Sequence, residues 1–349
     1  EVKIMYGKKI KYFRLKAGLT LDELAEKLSC TKAAVSQYEN GHRDPDQTTL
    51  EKISKIFHIS WSDLLTRDNL EVKFDHCSFR KKSRTNQNAI EILKADIEEK
   101  CINQITVMDI LGIVPQKPFK AKNLSVDASL EDNVKEIRKA LGVSFDGPIY
   151  YVTHLLERLG IIVLTFTCPD DIEGLNGTAD GIPYIFFNSS KTVERQRFTL
   201  VHEFCHLFFN YLEDTKELEK YINKLAGHVL VPDQDLFNEF GRTNRNLNTF
   251  LRNSVAKEYK VAPSCLMTRL YESGVVTEMY YRNFFKYLNA NVGKTREGTL
   301  LKGLEDSELP TEYMQRVYKA LDEELITKSR AAELLSVPLI DVMNNLKAM

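Results

Sequence analysis

The sequence predicts an α+β chain that is mostly helical, and three observations carry that reading. Stretch after stretch sets apolar residues three and four positions apart, the repeat of one helix face. An apolar run of strand length, Tyr184-Ile-Phe-Phe187, stands alone in the middle of the chain. Basic, Pro-rich or Gly/Asn/Lys-rich connectors fall at 67–85, 115–122 and 289–298. With 349 residues, two or three domains are expected. The 48 Lys and Arg nearly cancel the 49 Asp and Glu, so any attraction to nucleic acid must come from a local patch. Six cysteines without paired spacing read as reduced thiols. Neither a signal peptide nor a membrane-spanning run is visible, which leads to the expectation of a cytoplasmic protein with no membrane partner.

The N-terminal stretch is basic, with Lys3, Lys8, Lys9, Lys11, Arg14 and Lys16 against Glu1 alone. Thr20 to Leu28 reads as a short amphipathic helix, Thr20 capping it and Glu23 completing a capping box. A turn at Ser29-Cys30 leads to a second short helix over 31–41, closed by Gly41. Two short helices joined by a tight turn, with small Ala25 at the crossing, match a DNA-binding helix-turn-helix. The pattern Leu24-Ala25 … Val35-Ser36-x-Tyr38-Glu39-x-Gly41 resembles the XRE family, of phage-repressor type. Ser29 stands where that family often has the turn Gly, and Leu21 where it often has Gln. Such a domain sets its second helix in the major groove, so Thr31, Lys32, Ala33, Ser36 and Gln37 are the expected base-reading or groove-lining residues. Lys32 and Gln37 suit purine edges, and Ala33 a thymine methyl. Asn40 and the basic stretch would hold phosphates, although any one of these lysines also reads as an ordinary solvated face. The implied partner is a double-stranded DNA operator, bound as a two-fold homodimer.

Further along, His202-Glu203-Phe204-Cys205-His206 has the spacing His-Glu-x-x-His. Residues four apart in a helix share a face within about 40°, so both imidazoles can grip one metal ion. Glu203 lies about 100° around from His202, within reach of a metal-bound water without being a ligand. The surrounding 195–209 carries apolar residues at 198, 201, 204, 205, 208 and 209, a stripe that buries the helix. The plain alternative is a helix whose two histidines are merely satisfied in the core. Catalytic zinc needs a third protein ligand and one open position. Residues 213–232 form the next helix, stopped by Pro232, and Glu219 shares a face there with Ile222, Asn223, Ala226 and Leu230. Glu213 and Glu217 are the competing carboxylates. His228 falls on the opposite face and is not expected to ligate.

From Val134 to Pro232 the chain resembles the ImmA/IrrE family of metallo-endopeptidases. The matching pieces include Ile137-Arg-Lys-Ala-Leu-Gly142, Pro148-Ile149, Leu155–Val163, Pro183–Asn188, Arg197–His206 and Glu219-x-x-x-Asn223-x-x-Ala226-x-x-x-Leu-Val-Pro232. The resemblance implies His202, His206 and Glu219 as metal ligands, Glu203 as the catalytic base, and zinc (Zn2+) as cofactor. Manganese or iron also suits two imidazoles and a carboxylate. Departures are Ile222, Leu225 and Cys205, where the family has mostly Ala, Phe and Gly. Family members cleave helix-turn-helix repressors.

The expected organisation is a five-helix, all-α helix-turn-helix domain over 1–68, a linker and helical connector over 69–129, a zincin-like protease domain over 130–276 and a helical C-terminal region over 277–349. Val255–Leu270 and Ile326–Met343 repeat helix-turn-helix spacing, the former read as a packing or substrate-docking element and the latter as an association element. Tyr184–Phe187 reads either as a core strand or as an exposed edge open to strand addition by substrate. The two halves together imply a DNA-binding regulator whose zinc endopeptidase cleaves a protein partner, a repressor above all, or itself, with zinc-activated water. The rival readings are a non-catalytic repressor whose metal-site domain senses or scaffolds, and a regulator that restrains a toxin.

Overall fold

The computed structural model describes residues 6–59, 64, 72–76, 87–168, 172–213, 215–243, 247–291 and 308–347. These divide into two compact units: one holds the residues up to Lys73 together with Lys81–Ile110, the other Phe74–Arg80 together with Leu111 onward.

In the first unit, α1 (Gly7–Lys16), α2 (Leu21–Leu28), α3 (Lys32–Glu39) and α4 (Gln47–Phe57) enclose a core of Ile10, Leu24, Ala25, Leu28, Val35, Tyr38, Leu50, Ile53 and Leu64. The capping box forms as its residues imply, Thr20 Oγ1 accepting from the Glu23 amide at 3.2 Å and Glu23 Oε2 from the Thr20 amide at 2.7 Å. Ser29 ends α2 at φ 58°, the left-handed conformation that Gly adopts without strain. Of the expected fifth helix only Leu64, helical and buried, falls within the described residues. The long α5 (Gln87–Ile110) packs against α1, and Lys9 Nζ bonds Glu99 Oε1 at 2.6 Å.

The second unit is built on a four-stranded sheet of order β1-β3-β4-β2: β1 (Phe74–His76), β2 (Ile162–Phe166), β3 (Gly174–Ala179) and β4 (Ile182–Asn188). β3 and β4 form an antiparallel hairpin through Asp180 and Gly181, both at positive φ as a tight two-residue turn requires. β2 runs parallel to β4. All seven residues of β4 are buried, so Tyr184–Phe187 is an interior strand and not the exposed edge weighed for substrate pairing. The connector around residue 74 supplies β1, a strand that no local periodicity announced.

Helices α6 (Leu130–Ala140), α7 (Val152–Arg158), α8 (Val193–His206), α9 (Lys216–Leu230), α10 (Asp233–Phe240), α11 (Thr249–Glu258), α12 (Pro263–Glu272) and α13 (Glu278–Asn291) share the main core with the sheet. The helix-turn-helix spacing at 255–270 is a packing element: Val255, Ala256, Leu266, Met267 and Leu270 are buried in that core. Nearer the C-terminus come α14 (Glu312–Asp322), α15 (Lys328–Leu335) and α16 (Leu339–Lys347), with α15 ending at left-handed Ser336 much as α2 ends at Ser29. Among the described residues no helix is long and apolar enough to cross a membrane.

The tail docks on α7. The Glu312 amide donates to Glu157 Oε1 at 3.2 Å, and burial pushes the Glu157 carboxyl up to about 7. A carboxyl whose pKa rises on folding favours the protonated form, so its contribution is full below the unfolded value and lost as pH rises through about 7. Wild type is therefore expected to gain on order of 1–3 kcal/mol relative to Glu157→Gln between pH 8 and pH 5. Urea unfolding of both proteins at the two pH values measures this, and a pH-independent difference between them would refute it.

Candidate metal centre and nucleic-acid interface

Helix α8 begins where Thr192 Oγ1 accepts from the Arg195 amide, and its residues from Leu200 to Cys205 are buried. The last turn carries His202 and His206, whose Nε2 atoms lie 3.2 Å apart. The following α9 starts at Thr215, which caps the Leu218 amide, and brings Glu219 over α8 from its first turn. Glu219 Oε1 lies 3.1 Å from His206 Nε2, and Oε2 lies 3.9 Å from His202 Nε2. One donor atom from each of the three residues falls within 4.8 Å of the others, the sole such grouping found among the described residues. Tetrahedral zinc with bonds of about 2.0–2.1 Å sets its ligand atoms roughly 3.3 Å apart, so this donor set fits zinc. Glu213 and Glu217, the competing carboxylates, are not in the cluster.

Glu203 is 4% exposed, and its carboxylate meets the sheet. There Asn176 Nδ2, on β3, donates to its Oε2 at 2.7 Å. A Cβ built on Gly174 would fall 2.3 Å from Thr199 Cγ2 and 3.4 Å from Glu203 Cγ, so β3 crosses α8 where a side chain has no room. Neither Asn176 nor Gly174 was found from sequence: a short Gly-Leu-Asn-Gly run has no periodicity that distinguishes it from a loop. The Phe198 ring stacks on His202 at 6.2 Å between centroids, which fixes the imidazole plane. Cys205 is wholly buried, and burial pushes its thiol up, so it is a small core residue.

His228 lies outside the ligand set, as its helix face implies. Its Nε2 is 2.7 Å from Arg269 Nη1 and 3.2 Å from Glu272 Oε2, and burial depresses its pKa. Arg269, 1% exposed, also donates through Nε to the Val231 carbonyl at 3.1 Å and pairs with Asp233.

In the first unit, α3 presents Thr31, Lys32, Ala33, Gln37 and Asn40 to solvent, with Ser36 half-buried. Thr31 also caps the helix, its hydroxyl accepting from the Ala34 amide at 3.2 Å. Lys32 bridges Asp22 at 2.7 Å, an exposed pair that a stronger anion displaces easily. Asn40, expected on phosphate, donates its amide to the Ser36 carbonyl at 2.8 Å. The expected phosphate role of Arg14 is corrected: it is 7% exposed and grips Glu39 with Nε at 2.6 Å and Nη2 at 3.0 Å. Lys11 and Lys16 remain exposed on the same helix, while Lys3 lies outside the described residues.

Fold and site together define a helix-turn-helix protein that also carries a cluster of two histidines and one glutamate next to the buried carboxylate of Glu203. Comparison with known families agrees: residues 10–64 match the family described as Helix-turn-helix, and residues 156–271 match the IrrE N-terminal-like domain. The chain thus joins an XRE-type helix-turn-helix domain to an IrrE/ImmA-like domain. Among similar curated proteins, the HTH-type transcriptional regulator ImmR of Bacillus subtilis (strain 168) is 43% identical over 67 residues, 19% of this chain and 53% of the relative. The uncharacterized HTH-type transcriptional regulator YqaE of the same organism is 37% identical over 70 residues, 20% of this chain and 60% of the relative. The HTH-type transcriptional activator BcrR of Enterococcus faecalis is 32% identical over 65 residues, 19% of this chain and 32% of the relative. The chain spans about half the length of the first of these relatives. The crystal structure of Bacillus thuringiensis PlcR in complex with the peptide PapR7 and DNA aligns over 99% of this chain and 98% of its own at 13% identity, with a TM-score of 0.18.

Proposed function

We propose that this protein is a DNA-binding transcriptional regulator whose second unit is a zinc-dependent endopeptidase acting on a protein partner, most simply a helix-turn-helix repressor. The observation that carries the reading is the clustering of His202, His206 and Glu219 donor atoms within 4.8 Å, beside Glu203. A divalent zinc held by these three residues would acidify a water and polarise a scissile carbonyl. Glu203 then takes a proton and returns it to the departing amine, one carboxylate serving as base and acid in turn. Asn176 holds Glu203 Oε2 at 2.7 Å, so the carboxylate is oriented before substrate arrives. The near-complete burial of Glu203 keeps bulk water from competing with that hydrogen bond.

The regulator half rests on α3, whose exposed Lys32, Ala33 and Gln37 form one short polar face preceded by a tight turn. Such a face enters the major groove and meets base edges with its first turn. Lys32→Ala with Gln37→Ala is expected to weaken operator binding by about 1–3 kcal/mol per lost base contact and to leave metal content unchanged. Electrophoretic titration on a selected operator checks it; an unaltered affinity removes α3 as the reading helix. For the hydrolytic half, zinc-loaded and chelator-treated protein are incubated with candidate repressors. Cleavage confined to the zinc-loaded sample is the expected result, and identical substrate patterns in both would overturn it.

A further inference from the structure

The side of β3 away from β4 is occupied by a short piece of the connector. Phe74 pairs with Ala179, Asp75 with Thr178 and His76 with Gly177, antiparallel. Lys73 and Asp75 are exposed and Phe74 is half-buried. The strand joins β3 through a main-chain ladder, the same mode by which an extended peptide joins a sheet edge. β3 is also the strand that contacts the base: Asn176, next to the paired Gly177, bonds Glu203 at 2.7 Å, and Gly174 lies against its Cγ. Gly177 makes the close approach possible. A Cβ there would sit 2.7 Å from the Asp75 carbonyl oxygen and 2.4 Å from the Tyr184 hydroxyl.

We infer that β1 is a cis-acting competitor: the segment Phe74–His76 holds the β3 edge that an extended protein substrate must take, and it has to leave before substrate docks beside Glu203. This inference rests on the endopeptidase reading above for its meaning, though not for its test. Two features make β1 an occupant that can leave. It offers three ladder residues, where strands in stable sheets average five or six. It also ends level with Gly177, one residue short of Asn176, so it fills the flank of the edge and leaves Glu203 uncovered by its own paired residues. The substrate class that follows is an extended, unfolded or loop segment of a protein, recognised mainly through its backbone.

The test uses the full chain and a fluorescein-labelled synthetic peptide copying residues 70–80. Phe74→Pro with Asp75→Pro removes the β1 amide that faces β3 and stiffens its neighbour, without touching β3. The expected result is that this variant binds the peptide about tenfold more tightly than wild type by anisotropy, with an unchanged melting temperature. Amide exchange supplies a second readout: Gly177–Ala179 become fast-exchanging in the variant and slow again when peptide is added. Equal peptide affinity in the two proteins overturns the inference, and so does unaltered exchange at Gly177–Ala179. Neither readout needs hydrolysis, so a gained peptide site without any cleavage sinks the endopeptidase reading alone. Conversely, repressor cleavage at equal rates by wild type and variant sinks the competitor alone.

Discussion

Glu203→Gln is expected to keep its metal and lose its chemistry. The substitution preserves shape, so it leaves His202, His206 and Glu219 in the arrangement that brings their donor atoms within 4.8 Å. A glutamine side chain rotated to present its carbonyl oxygen still accepts from Asn176 Nδ2, which now meets Glu203 Oε2 at 2.7 Å. What the amide cannot do is take a proton and give it back. General-base assistance contributes about a hundred- to ten-thousand-fold to such reactions, so cleavage should fall by that factor while zinc stoichiometry stays at wild-type level. Asn176→Leu, which removes the orienting donor but leaves the carboxylate, should give a smaller loss, chiefly in kcat. Glu219→Ala should behave in the opposite way, losing metal first because it deletes one of three ligands. Metal analysis beside single-turnover cleavage of one repressor separates the three variants. Wild-type rates from Glu203→Gln would end the endopeptidase reading, whatever the metal content.

The contrast between what the chain announced and what it concealed follows the range of the interactions. His202, Glu203 and His206 were legible because a helix converts sequence spacing directly into geometry. Glu219 was legible for the same reason, once the small Ala226 and buried Ile222 and Leu230 marked the packed face of its helix. The capping box at Thr20 and the left-handed turn at Ser29 are local too, and both stand where their residue types suggested. Arg14 was misread because its partner Glu39 lies 25 residues away, and nothing local distinguishes a buried arginine from one on a solvated face. β1 was missed because a three-residue edge strand is defined by the strand it joins. Asn176 was missed because it matters only through Glu203, 27 residues on. The surroundings of the site are therefore written in contacts between distant segments, and the clustering of its three donor residues in the period of two helices.

A distant contact also supports the second large prediction. Arg197 lies on α8 five positions before His202, is 0% exposed, and pairs with Glu308, just ahead of α14 in the C-terminal region. Its guanidinium further donates to the carbonyls of Lys260, at 3.1 Å, and Ile149. Glu308 is 5% exposed and accepts from the Thr153 amide at 2.9 Å, while its own carbonyl accepts from the Thr153 hydroxyl at 3.0 Å. Removing one partner of a buried ion pair leaves the other charge without compensation and costs about 3–5 kcal/mol. Glu308→Ala is expected to destabilise by that amount, and because Arg197 lies on α8 with His202 and His206, zinc affinity is expected to fall as well. Glu308→Gln keeps one acceptor oxygen for Arg197 but turns an NH2 donor toward the Thr153 amide, so it should recover only part of that loss. Replacing both partners with apolar residues, as in Arg197→Met with Glu308→Leu, should recover part of the Glu308→Ala loss, since no charge is then stranded. Urea unfolding with and without zinc measures all three variants. If Glu308→Ala shifts the unfolding free energy by less than about 1 kcal/mol, within the range of an exposed pair, the C-terminal region does not anchor α8.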